Sequence, residues 1–284
     1  MISELFRYEF LQNAFLTGIF IGWVAPLLGV FIVLRRLSLI ADALSHVTLS
    51  GIAASLWIGR LFPSLQWINP LYAGMGFAVC GALLIEKFRT VYKSHEELAI
   101  PVIMSLGIGL GVIFISLANG FTSDLYGFLF GSINAVTRFD FLVVLLLTLA
   151  VTAAVFLLFK EFFLLSFDED YGKTSGLPVR ALQLVFIVLA AVVVSVSIRI
   201  VGVLLVSSLM TLPVASAMRL AKSFRGAVVL SVVFGEISVI AGLLASYYLD
   251  LAPGGTIVVI SGILLLFSLL NERTLKARRT VGRG

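Results

Sequence analysis

The sequence predicts an all-α integral membrane protein, a polytopic bundle of about nine transmembrane helices. Three observations carry this. Hydrophobic residues make up 60% of the 284 and charged residues only 12%, against about 45–50% and about 25% in a soluble domain; there are too few charges to cover a water-facing surface. The mean hydropathy is +1.13. Nine stretches also meet or approach the roughly 20 apolar residues that a hydrocarbon core of about 30 Å demands of a helix. Lipid offers backbone groups no hydrogen bonds, so each is read as a helix. The apolar runs are continuous rather than alternating in segments of about ten, which argues against a barrel.

In chain order the spans are 11–34, 40–61, 69–88, 99–118, 139–160, 181–199, 202–220, 227–248 and 255–271. The opening MISELFRYEF carries two acids and leads into the first span with no small-residue cleavage site, so that span reads as retained rather than as a signal peptide. Phe6, Tyr8 and Phe10 suit a short interfacial helix. Cys80 is the single cysteine; it excludes an internal disulfide and a multi-thiolate metal trap, and reads as a small buried hydrophobe. Gly18 and Gly22, Gly107 and Gly111, and Gly127 and Gly131 are spaced by four, as close helix packing in lipid requires. Segment 119–138 is partly apolar but too short to cross, and reads as a short helix on the outer side. Segment 161–180 is the longest polar interruption. The chain reads as one integral domain over 1–284, with a basic tail over 272–284.

Charge sets the orientation. With the N-terminus outside and the spans alternating, sixteen of the 20 Lys and Arg lie inside: Arg35 and Arg36; Lys87, Arg89 and Lys93; Lys160, Lys173 and Arg180; Arg219, Lys222 and Arg225; and five in the tail. Arg7, Arg60, Arg138 and Arg199 remain outside. The positive-inside rule therefore puts the C-terminus inside. The basic excess explains orientation and contact with lipid head groups, and no nucleic-acid module is evident.

Ionisable residues within spans are costly and usually functional. Asp42 and His46 are four apart near the start of the second span and share one helix face, with Ser38 on the same line and Ser45 and Ser50 beside it. A carboxylate and an imidazole suit Zn(II), Mn(II) or Fe(II); by residue type and spacing alone, a hydrogen-bonded pair that fixes packing is the commoner reading. Two ligands do not complete a site, and a second copy around one pore would bring more. Glu236 is the second intramembrane acid, a candidate for the same path or for a packing hydrogen bond. His95, Glu96 and Glu97 read as a solvated loop, without the second histidine of a zinc-protease helix. Gly172-Lys173-Thr174 is a decoy for a phosphate-binding loop, because Phe167 stands where that pattern needs its first glycine. Two histidines in all are too few for a metallohydrolase, so no enzyme is expected.

The stretch YEFLQNAFLTGIFIGWVAPLLGVFIVLRRLSLIADALSHVTLSGIAAS, Tyr8 to Ser55, closely resembles the start of metal-transporting ABC permeases of the zinc- and manganese-uptake type. LRRLSLIADALSHVTLSGIA is its most specific part. SFDEDYGKTSGLPV resembles that family's coupling segment, with Gly172 in place of the more usual alanine and Glu169 where proline is common. GVLLVSSLMTLPVASAMRLA and GLLASYYLDLAPGGTIVVI are similar to two later family segments, so the resemblance covers nearly the whole chain.

The resemblance implies a membrane permease subunit of an ATP-driven importer of zinc, manganese or ferrous iron, in a bacterial plasma or inner membrane. Asp42 and His46 would contact the passing metal. Phe167, Asp168, Glu169, Asp170, Tyr171, Gly172 and Gly176 would dock on the ATPase, with Phe167 as an apolar anchor and the acids as a charged rim. The implied partners are a second copy, cytoplasmic ATP-binding subunits and an extracytoplasmic metal-binding protein. The metal is cargo; no cofactor is expected to stay bound. Two alternatives stay open: a gradient-driven carrier or channel with no ATPase, and a permease for chelated metal or cobalamin-like cargo.

Overall fold

The computed structural model describes residues 8–281 apart from 66, 68, 93, 94 and 121, and the side chains of 272–281 fall outside the description. Phe6, Arg7, Lys93 and the basic side chains of the tail therefore lie outside the described residues. Every described regular element is helical. In order they are α1 (Glu9–Leu34), α2 (Leu39–Leu61), α3 (Pro70–Val91), α4 (Ala99–Leu117), α5 (Ser123–Phe130), α6 (Arg138–Leu157), α7 (Phe159–Phe167), α8 (Glu169–Thr174), α9 (Val179–Val201), α10 (Val206–Leu220), α11 (Phe224–Leu249) and α12 (Pro253–Val281). Two 3-10 turns, Pro63–Leu65 and Glu96–Leu98, join α2 to α3 and α3 to α4.

Among the described residues eight helices are long and apolar enough to cross a membrane. The ninth predicted span, 202–220, is shorter than expected. Its first residues turn back through Gly202 (φ 85°), and α10 keeps only 15 residues with Pro213 inside it, about 22 Å of rise. A short helix is tolerated there because α10 is enclosed by α1, α2, α11 and α12 rather than by lipid. The fifth predicted span also divides, at Leu158, between α6 and α7.

The helices form two groups. One packs α2 against α3 and α4; the other packs α1, α10, α11 and α12 together; α9 touches α1, α2 and α3 and joins them. Small residues make the closest approaches. Val47 of α2 sits where a Cβ on Gly107 would be, 2.8 Å away. Pro26 breaks the donor ladder of α1, and Gly235 of α11 closes on that turn: a Cβ there would lie 2.6 Å from the Gly22 carbonyl oxygen. The pairs Gly18/Gly22 and Gly107/Gly111 are thus packing surfaces. The third pair is not: Gly131 ends α5 at φ 82°, against the Ile200 carbonyl. Cys80 is exposed rather than buried.

Aromatic rings fill one end of the bundle. Phe31 of α1 is fully buried and meets Phe159, Phe162, Phe186 and Phe224 with ring centroids 5.5–6.4 Å apart. Their edge-on geometry is the one ring quadrupoles favour.

Candidate transport path and coupling surface

The turn between α1 and α2 aims the Asp42–His46 pair. Leu37 N–H donates to the Ile32 carbonyl at 2.9 Å and Arg36 N–H to the Val33 carbonyl at 3.1 Å, the paired bonds of a Schellman cap. Arg36 holds the left-handed position usually taken by glycine, at φ 57°. Beside it, the Arg35 guanidinium lies 5.1 Å over the Phe186 ring. Burial, and then the charge of Arg89, lowers its pKa below the ordinary value.

On α2, Val47, Thr48, Gly51 and Ile52 are packed tightly against α3 and α4. Asp42, His46, Leu49 and Leu56 form a half-buried stripe along another face, and Leu39 at its end is exposed. Asp42 also lies in the first turn, where an acid suits the helix dipole. Asp42 is close enough to His46 for its charge to act on the imidazole. Ser45 and Ser50 do not join them: both hydroxyls are buried and bonded to carbonyls of α2 itself, Ser45 to Ala41 at 2.7 Å and Ser50 to Val47 at 2.7 Å. Among the described residues no group of three or more His, Cys, Asp or Glu could hold a metal ion, so Glu236 does not complete a cluster with the pair. Glu236 is half-buried against Gly22 of α1, and its Oε2 is buried without a hydrogen-bond partner.

Toward the far end of α2, Ala53 and Leu56 border a cavity of about 230 Å³ closed by Leu125 and Asp124 of α5. The short helix expected within 119–138 is therefore present as α5, next to this end of the stripe. A polar knot that the sequence reading missed anchors it. Asp140, buried at the start of α6, accepts from Arg199 Nη2 at 2.9 Å, from Thr137 Oγ1 at 2.8 Å and from Thr137 N–H at 3.1 Å, with Asn69 Nδ2 at 3.4 Å. Arg199 in turn lies over the Phe128 ring of α5. Thr137 and Asp140 make a reciprocal capping box, and the Thr-x-x-Asp spacing was its signal in the sequence.

At the opposite end, segment 161–180 folds as most of α7, then α8 and a turn. Asp168 caps α8 by accepting from Tyr171 N–H at 2.8 Å. Gly176, at φ 80°, lets Leu177 N–H reach back to the Gly172 carbonyl. Glu169 and Asp170 pair with Lys173 at 3.0 and 3.2 Å; these bonds raise the Lys173 pKa above its ordinary value. Phe167 is 62% exposed and Tyr171 59%, although Phe167 also touches Phe163 and Phe224. Gly172 is buried, and a Cβ on it would sit 3.0 Å from Leu165 Cδ2.

Behind α8 lies a cavity of about 700 Å³ lined by Glu86, Arg89, Glu96, Glu169, Lys173 and Arg180, among others. Arg89 bridges Glu86 at 3.4 Å and Glu96 at 3.0 Å. Glu96 is thus an ion-pair partner rather than only a solvated loop acid.

Known proteins match this arrangement over nearly its full length. The family model described as ABC 3 transport family matches residues 7–272. A manganese transport system membrane protein of Listeria monocytogenes is 33% identical, over 95% of this chain and 93% of its own. A manganese import system permease protein of Streptococcus gordonii is 32% identical, over 94% and 93%. Among solved structures, a chain of PsaBC from Streptococcus pneumoniae in complex with Fab superposes with a TM-score of 0.82 at 30% identity, covering 98% of this chain and all of that one. Over all but its two ends, therefore, the chain belongs to the ABC 3 transport family, as a multi-pass membrane subunit of an ABC transporter.

Proposed function

We propose that the chain is the permease of an ATP-driven importer of divalent transition metals, with manganese as the first cargo to test. Two copies form the pore, N-termini outside. ATP-binding subunits seat on Phe167–Gly176 from inside, and an outer metal-binding protein delivers the ion. The manganese transport relatives support the cargo. The sixteen basic residues that one orientation gathers inside support the topology.

The observation that carries the path is the Asp42–His46 stripe. Its residues are only half-buried beside a face of α2 that packs on α3 and α4, and among the described residues no third ligand joins them. Two copies facing each other supply two carboxylates and two imidazoles, with water for the remaining positions. Mn(II) accepts such oxygen and nitrogen donors. A bare ion suits this pair better than a chelate, which needs a wide apolar path. The site holds the ion briefly: firm enough to draw it from water, weak enough to release it.

The deciding experiment is manganese uptake into vesicles holding this chain with its ATPase, driven either by ATP or by an imposed ion gradient. Uptake that requires ATP supports the importer. Uptake on a gradient without the ATPase would favour the carrier alternative.

A further inference from the structure

Two adjoining grooves of about 440 and 740 Å³ run between α7 and the start of α11 and share Phe159, Lys160 and Arg225. The larger extends along Leu27, Leu157 and Val229, and Leu157 and Val229 are 81% and 61% exposed. These residues belong to helices long and apolar enough to cross a membrane, toward the ends that border the coupling segment; in a bilayer such ends would lie toward the boundary between head groups and acyl chains. Among the described residues neither Lys160 nor Arg225 forms a salt bridge. Glu161 is the one acid on the lining, and its Oε2 is turned away from solvent, so positive charge is in excess at the opening.

We propose that this groove binds an anionic phospholipid of the leaflet on the coupling side, its phosphate between Lys160 and Arg225 and one acyl chain along Leu27, Leu157 and Val229. Unpaired basic side chains at a membrane surface attract anionic head groups. A free phosphate would leave the apolar wall unused, and a water-soluble subunit could not reach Leu157 and Val229 within the bilayer. The bound lipid would brace α7, which leads into the coupling helix, against α11.

The test uses the full chain reconstituted in vesicles of phosphatidylethanolamine with phosphatidylglycerol, then extracted and weighed intact by native mass spectrometry. Wild type is expected to retain phosphatidylglycerol in preference to phosphatidylethanolamine. Lys160→Gln and Arg225→Gln should each weaken retention about fivefold, and the double variant about thirtyfold, the change expected for one basic side chain and for two. Val229→Trp keeps both charges, fills the acyl slot and should also lose the lipid. Equal retention of phosphatidylglycerol by wild type and the double variant overturns the proposal, as does equal retention of the two lipids by wild type. Loss of a second copy from Val229→Trp with its lipid unchanged also overturns it, because the groove is then a subunit interface.

Discussion

Arg199 Nη2 donates to Asp140 Oδ2 across 2.9 Å, joining the end of α9 to the start of α6 with both side chains largely withdrawn from solvent. Removing one member of such a pair leaves a buried charge without a counterpart, at a cost of about 3–5 kcal/mol, whereas removing both costs less. Asp140→Ala and Arg199→Leu are each expected to lower the unfolding temperature in detergent, with the double variant less affected than the sum of the two. Additive losses would show that the pair is not coupled.

Arg36 occupies a left-handed backbone position, φ 57°, that glycine adopts without strain. Arg36→Gly should therefore stabilise the fold by about 1 kcal/mol, read as a higher unfolding temperature. A lower one would mean that the guanidinium makes compensating contacts.

Phe167 combines high exposure with ring contacts to Phe163 and Phe224. Phe167→Glu should cost about 1 kcal/mol of stability through those lost contacts, while ATPase co-purification and uptake fall much further. Intact ATPase binding in that variant would remove Phe167 from the docking surface.

Glu236 carries a buried carboxylate oxygen with no hydrogen-bond partner, packed on Gly22 rather than grouped with Asp42 and His46. An intramembrane charge is costly, by about 2.5–3.5 kcal/mol at a helix centre. Glu236→Gln should thus raise stability and keep manganese uptake. Loss of uptake in a stably folded Glu236→Gln would put the carboxylate on the metal path.

Much of this was legible in the sequence because lipid enforces simple rules. Continuous apolar runs can only be helices there, so the helix ends at Leu34, Leu61 and Leu220 fell at the predicted last residues. The common face of Asp42 and His46 on α2 followed from helical spacing alone. What escaped was set by tertiary context. Asp140 lay at the edge of an apolar run, and its partner Arg199 is 59 residues away, so only the packing of α6 against α9 reveals their bond. The shortness of α10 depends on its enclosure by other helices. Cys80 looked like core by residue type, yet lies on the outward side of α3.

The central claim is that metal passes along Asp42 and His46. Its most direct test is ATP-dependent manganese uptake in vesicles by wild type, Asp42→Ala and His46→Ala, each first shown to assemble with the ATPase. Uptake by wild type, with loss in both variants at unchanged assembly, is the predicted result. Normal uptake by either variant would contradict the claim and leave that residue a packing element of α2.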